Sequence, residues 1–399
     1  MILAVNKTRA ATSVKNLVIY CLLALLPGLA QAQINLIPAA PAIAASGYLL
    51  IDADSGAVLV EENADERLPP ASLTKLMTSY VLAYELEHGQ VNNGDMVTIS
   101  KNAWAQNPIF NGSSLMWIEV GKQVSLGELH KGIVISSGND ASLAVAEYLA
   151  GSEDAFASMM NQHAQMLGMD NTHYVNSHGL PNPEHYTSAR DLAILAKAII
   201  GQKEEYKLYS EKEFEFNGIK QKNRNRLLWS DPSVDGLKTG HTQEAGYCLV
   251  SSAVRDGMRL ISVVMGTSSE SARERETQKL LSYGFRYFET HHLYNAGDEL
   301  SSSKLWKGAK DSVSLGVAED VYLTIPRGKS EALNAELIVN DELTAPIEQG
   351  QPYGELVVTL NDEEQLRVPL VALESVKEGS IFKRIWDALV LFFIGLIPV

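Results

Sequence analysis

Pro69-Pro70-Ala71-Ser72-Leu73-Thr74-Lys75-Leu76-Met77-Thr78 decides how the rest of this chain is read. The prolines end an extended stretch. From Ser72 to Leu86, Leu73, Leu76, Met77, Tyr80, Val81 and Tyr84 then recur at three- and four-residue steps, which predicts a helix. Residues at i and i+3 share a helix face, so the Lys75 amine can reach the Ser72 hydroxyl. Free backbone N–H groups and the positive end of the helix dipole gather at the same end. A serine there is by itself an ordinary N-cap. Lys75 changes that reading, because a buried lysine beside another cation loses its proton more readily. Only the neutral amine can accept the serine proton, and Lys238 is the candidate second cation.

Ser-x-x-Lys occurs at Ser72, Ser301 and Ser380. Only Ser72 is followed, tens of residues downstream, by Ser137-Gly138-Asn139 and then Lys238-Thr239-Gly240. That ordered set supplies a nucleophile, a polar bridge and a cationic anion-holder, the parts of an active-site-serine acyl transferase. Ser-Gly-Asn alone is common turn chemistry. In this context Ser137 can pass a proton between Lys75 and the leaving group, and Asn139 can hold the substrate amide and Lys75. Val234 to Thr242 reads as an edge strand on which Lys238 and Thr239 hold a substrate carboxylate. Gly240 would let a substrate backbone approach closely. The backbone N–H groups of Ser72 and His241 are candidate oxyanion donors, while the His241 side chain reads as an ordinary loop histidine.

Outward from these motifs, Gly47 to Val60 reads as a hairpin turning at Asp54-Ser55-Gly56. Helical patterns cover Leu126 to Ile135, Ala141 to Leu149, Ala155 to Leu167 and Ala189 to Ile200, the last with Thr187 or Ser188 as its cap. Strands are expected at Tyr247 to Val254 and Leu260 to Gly266, then a helix from Ser271 to Thr290. Helices segregated beside an antiparallel sheet predict an α+β domain whose sheet joins the first hairpin to the last. Beyond His291 the segments are short and alternating: Ser312 to Leu315, Val321 to Ile325, Glu336 to Val339, Glu355 to Leu360 and Leu366 to Leu370. They predict a small all-β sandwich.

The two ends differ from the body. Lys7, Arg9 and Lys15, the apolar run Leu17 to Leu29 and Ala30-Gln31-Ala32 have the form of a secretory signal peptide cleaved after Ala32. Losing those three cations takes the formal charge from −15 to −18, a balance that disfavours nucleic-acid binding. Cys21 leaves with the leader, so Cys248 has no intramolecular partner and no disulfide framework is expected. The histidines lie outside zinc-ligand spacings, and no metal is expected. At the other end Ile381, Phe382, Ile385, Trp386, Leu389, Phe392, Phe393 and Leu396 line one side of a helical wheel, against Lys383, Arg384 and Asp387. Ala388 to Val399 is too short to span a bilayer, which predicts an amphipathic helix lying in the interface with its basic residues at the headgroups. A helix docked on the sandwich is the alternative.

Pro70 to Thr78, Ser136 to Ala141, Asp235 to Thr242, Val321 to Gly328 and the amphipathic C-terminus together resemble the low-molecular-mass penicillin-binding proteins, specifically the bacterial D-alanyl-D-alanine carboxypeptidases. The likeness covers essentially all of the mature chain. It implies a β-lactamase/transpeptidase-like domain over residues 33–290, a β-sandwich over 291–379 and a membrane-anchor helix over 380–399, on the periplasmic face of the inner membrane. The implied substrate is the peptidoglycan stem peptide, with β-lactam antibiotics as covalent inhibitors and no cofactor. Ser72 would be acylated, Lys75 would act as general base, Ser137 and Asn139 would assist, and Lys238, Thr239 and Gly240 would bind substrate. Arg224 matches an arginine near the substrate carboxylate, although its spacing to Lys-Thr-Gly is one residue shorter here. Two other readings use the same motifs. One is a β-lactamase, for which Glu184 lies in the interval of a water-holding glutamate. The other is a penicillin-binding scaffold with a mainly structural role.

Overall fold

Gly47–Asp52 is buried along its whole length and has partners on both edges. In the computed structural model, which describes residues 37–340 and 342–394, this strand pairs with Val58–Glu62 across the expected turn. On its other side it pairs with Met258–Thr267. The five-stranded antiparallel sheet continues through Gly246–Arg255 to Val234–Thr242, which forms its edge. The first hairpin and the last are thus joined through strands two hundred residues apart, as the sequence pattern predicts. The leader, its cleavage after Ala32, Cys21 and the terminal Leu396 lie outside the described residues.

Successive side chains of a strand face opposite ways, and here both faces are covered. Leu49, Val250, Ile261 and Val263 pack against Leu73, Leu76, Met77 and the helix Ala189–Gly201. Leu50, Leu249, Leu260 and Val264 pack against Leu280, Leu281 and Phe285 of the helix Glu270–Tyr287. This double burial explains why these strands read as apolar runs rather than as alternation.

Helix limits shift for local reasons. Ser72 lies in a 3-10 turn, Ala71–Leu73, and the α-helix proper is Thr74–Glu87. Ser188, rather than Thr187, caps Ala189–Gly201 by accepting from the Asp191 amide. The pattern from Leu126 is α-helical only to Lys131, then widens into a π turn over Gly132–Ser136 that ends at left-handed Ser137 (φ 59°). Gly132 makes room for the Met116 side chain, because a β-carbon there would meet Met116 Sδ at 2.3 Å. The helix expected over Ser271 to Thr290 stops at Tyr287, since Phe288–Tyr294 is taken as a strand by Val321–Pro326.

That pair and a six-stranded sheet form the β-rich C-terminal part, around Leu305, Val313, Leu315, Leu323, Ile325, Leu356, Val358 and Leu370. Asp52 bolts it to the first hairpin. One carboxylate oxygen accepts from Ser55, and the other accepts from Thr290 Oγ1 at 2.6 Å. Ser55 Oγ in turn lies 2.6 Å from Thr324 Oγ1.

A helix over Ile381–Ile394 follows. Its polar side makes two ion pairs and one buried contact with the rest of the chain. Asp387 is buried and accepts from the Lys307 amide at 2.6 Å, while Lys383 pairs with Asp311 and Arg384 with Glu378. The two cations expected at lipid headgroups are therefore neutralised by carboxylates of the chain itself. Ile381, Phe382, Ile385, Trp386, Leu389, Phe392 and Phe393 are exposed.

Candidate active site

The turn Ala71–Leu73 sets the half-buried Ser72 at the head of a helix whose next face carries Lys75. Lys75 Nζ lies 3.1 Å from Ser72 Oγ, 2.6 Å from Asn139 Oδ1 and 2.6 Å from the carbonyl oxygen of His178. Only 1 % of Lys75 is exposed. Burial, then the Arg224 guanidinium, pull its pKa down to about 7, and Asp140 opposes them. The expected second cation, Lys238, is not the one that follows burial in this effect. Lys238 is itself buried, and burial followed by Lys75 drives it well below its ordinary range.

A neutral amine has two N–H donors and one lone pair. The two short contacts to Asn139 and His178 take both donors, so the lone pair is left for Ser72. That is the geometry of a nucleophile beside its base.

Ser137 and Asn139 are positioned from below. Asp140 is fully buried, and its carboxylate accepts from the amides of Met116, Trp117, Ile118 and Ala141. Asn139 N donates to Ser114 O at 2.8 Å. The Ser-Gly-Asn turn is thereby clamped to the segment 114–118, and burial raises the Asp140 pKa against those four donors.

Ser72, Ser137, Asn139, Arg224, Thr239, Gly240 and His241 line one cleft of about 380 Å³. Lys75 and Lys238 stand buried behind its wall. Arg224 is exposed at the rim, and the exposed His241 ring stacks on Tyr247 at 4.0 Å. Gly240 has a packing reason to be glycine besides the one expected. A β-carbon there would lie 2.9 Å from Pro70 O and 3.1 Å from Leu73 Cγ, so the glycine also makes room for the turn that carries Ser72. Glu184 is exposed and does not line the cleft; its carbonyl accepts from His173 Nδ1 at 2.6 Å.

Sequence reasoning missed three contributors. The segment Asn176 to Leu180 supplies the His178 carbonyl, and its Gly-Leu-Pro punctuation signals only a turn. Arg273 is 3 % exposed, donates to Gly240 O at 3.4 Å, pairs with Glu270 at 3.3 Å and lies over the Tyr247 ring. Glu270, in the cleft wall, is paired with Arg226 as well. Arg224 and Arg273 thus line a cleft whose own carboxylate, Glu270, is already paired. Such a site favours an anionic substrate.

A half-buried serine, a depressed lysine beside it and the Lys238-Thr239-Gly240 strand at the edge of an antiparallel sheet point to a serine acyl-transfer enzyme of the penicillin-interacting class. The D-alanyl-D-alanine carboxypeptidase family profile matches residues 34–269, and the profile of the penicillin-binding protein 5 C-terminal domain matches residues 288–378. The D-alanyl-D-alanine carboxypeptidase DacA of Escherichia coli K12 is 48 % identical over 363 residues, covering 90 % of this chain and 90 % of its own length. DacC of the same strain is 46 % identical over 358 residues, covering 89 % of this chain and 90 % of its own. A crystal structure of penicillin-binding protein 5 from Haemophilus influenzae superposes with a TM-score of 0.82 at 45 % identity, over 86 % of this chain and 100 % of that one. The chain belongs to the serine D-alanyl-D-alanine carboxypeptidase family of penicillin-binding proteins.

Proposed function

We propose that this chain removes the terminal D-alanine from peptidoglycan stem pentapeptides through an acyl-enzyme on Ser72. Lys75 takes the hydroxyl proton as Ser72 Oγ attacks the carbonyl carbon between the two D-alanines. The C–N bond breaks, the proton passes through Ser137 to the departing amine, and water then hydrolyses the ester. Asn139 holds the substrate amide. Lys238, Thr239 and Gly240, with Arg224 at the rim, receive the terminal carboxylate, and the backbone N–H groups of Ser72 and His241 face the developing oxyanion. The 3.1 Å approach of Lys75 Nζ to Ser72 Oγ, with both amine hydrogens committed elsewhere, carries this reading. β-Lactams acylate the same serine.

In the same reading, the peptidase occupies residues 33–290, the β-rich part 291–379 and the anchor 380–399. The separate apolar cluster of the C-terminal strands supports that division. No helix of the described residues is long and apolar enough to cross a membrane. The exposed Ile, Phe, Trp and Leu side of the last helix supports interfacial attachment, on the periplasmic side after the leader is removed. Purified protein should release D-alanine from a D-Ala-D-Ala-terminated peptide. Penicillin treatment should add one adduct by intact mass, mapped to Ser72. An adduct elsewhere, or undiminished release by Ser72→Ala, overturns the assignment.

A further inference from the structure

Glu153 is the first residue of the helix Glu153–Leu167, behind an N-cap serine. An acidic side chain in a first turn is ordinary dipole chemistry. This one reaches further. Its Oε1 accepts from Ser177 N at 3.0 Å and from Ser177 Oγ at 2.8 Å, and it lies 3.3 Å from His178 Nε2.

His178 is buried, and its Nδ1 accepts from Leu180 N at 3.2 Å, which places the ring hydrogen on Nε2, the nitrogen that lies near Glu153. Asn176 Oδ1 receives the amides of His178 and Gly179, and the Phe110 ring packs edge-on against the imidazole. Every one of these contacts orients one peptide, whose carbonyl oxygen meets Lys75 Nζ at 2.6 Å.

We propose that Glu153 is a positioning residue for the acylation step: through Ser177 and His178 it aims the His178 carbonyl that takes one hydrogen of Lys75, and so aims the Lys75 lone pair at Ser72. This rests on the assignment of Ser72 and Lys75 as nucleophile and base. The link spans two loops and is invisible in the three motifs. Without the fixed carbonyl, Lys75 keeps one directed acceptor, Asn139, and its lone pair is free to swing away from the serine.

The charged form of Lys75 also loses an acceptor. Its pKa therefore falls, and the acid limb of the acylation rate moves to lower pH. Asp140, Arg224 and Lys238 are the charged groups that bear on Lys75, with neutral His178 and His185 behind them. Asp154 and Glu147 bear on Glu153.

The test is the second-order rate of acylation by benzylpenicillin against pH, normalised to titratable serine, on the full chain. Glu153→Ala should acylate roughly tenfold more slowly at pH 7, with its acid limb below that of wild type. Glu153→Gln, which keeps an acceptor oxygen in place, should remain within about threefold. A wild-type rate and limb in Glu153→Ala overturns the proposal, as does a glutamine variant as slow as the alanine one. Should Glu153→Ala fail to fold, Ser177→Ala removes one of the three contacts without stranding a charge. A slower, down-shifted rate then supports the link, and an unchanged one overturns it. Adduct mapping separates the two failures, because loss of the Ser72 adduct in wild type refutes the nucleophile and not the positioning.

Discussion

Gly179 approaches Ala71 so closely that a β-carbon on the glycine would lie 1.8 Å from the Ala71 carbonyl oxygen. Ala71 precedes Ser72 and holds a positive φ of 48°, and Gly179 itself has φ +89°. The loop that offers its carbonyl to Lys75 is thus pressed directly on the turn that presents Ser72. Gly179→Ala should destabilise the fold by roughly 3 kcal/mol or more, through overpacking and a strained backbone. Urea denaturation measures it, and residual folded protein should be acylated far more slowly by penicillin. A variant with wild-type stability would show that the two loops yield freely.

Lys75 ties activity to pH. Acylation requires the neutral amine, so its rate should rise with an acid limb near pH 7. Lys75→Arg keeps the charge at every pH and should lose about 10³-fold or more throughout. Stability follows the same group. The folded pKa of about 7 lies below the ordinary 10.5, so between those values the unfolded chain binds more protons. The cost of burying Lys75 is therefore full below pH 7 and is relieved as pH rises toward 10.5. Relative to Lys75→Met, wild type should gain stability across that interval, measured by denaturation at each pH. A flat difference would refute the depressed pKa.

Much of this site was legible because its chemistry is local. Ser72 and Lys75 are one helical turn apart, and Lys238 to Gly240 sit side by side on a single strand. The sheet order was legible from two turn-bounded apolar hairpins. What was not legible acts across loops. Asp140 spends its carboxylate on four amides of the chain, and nothing in its own neighbours in sequence signals the three at Met116, Trp117 and Ile118. The reason for Gly240 depended on knowing that the nucleophile turn lies over it. Glu299–Trp306, a serine-rich strand, was missed because propensity was weak and neighbours on both sides recruited it. Phe288–Tyr294 lacked a glycine or proline to stop the preceding helix pattern.

Arg273 offers a test of the anion-holding strand. It reaches the Gly240 carbonyl from behind while Tyr247 and Glu270 fix its guanidinium. Arg273→Lys should raise KM for D-Ala-D-Ala peptides and lower kcat/KM by roughly tenfold, because an ammonium cannot span the same partners. Arg273→Met should be no better. Unchanged KM in both variants would detach this arginine from substrate binding.

The proposed interfacial attachment makes the last helix testable on lipid vesicles. Its cations are already paired with Asp311 and Glu378, so little charge remains for lipid headgroups. Its exposed large apolar residues include Ile381, Phe382, Ile385, Trp386, Leu389, Phe392 and Phe393, and burying such apolar surface contributes about 25 cal/mol per Å². Full-length protein should therefore sediment with lipid vesicles, resist extraction by high salt, and bind neutral vesicles nearly as well as anionic ones. Truncation before Ser380 should abolish sedimentation and leave hydrolysis of small D-Ala-D-Ala peptides intact, because the motif residues precede it by more than a hundred positions. Extraction by salt alone would overturn the apolar mode of attachment, and loss of peptidase activity on truncation would instead make the helix part of the catalytic fold.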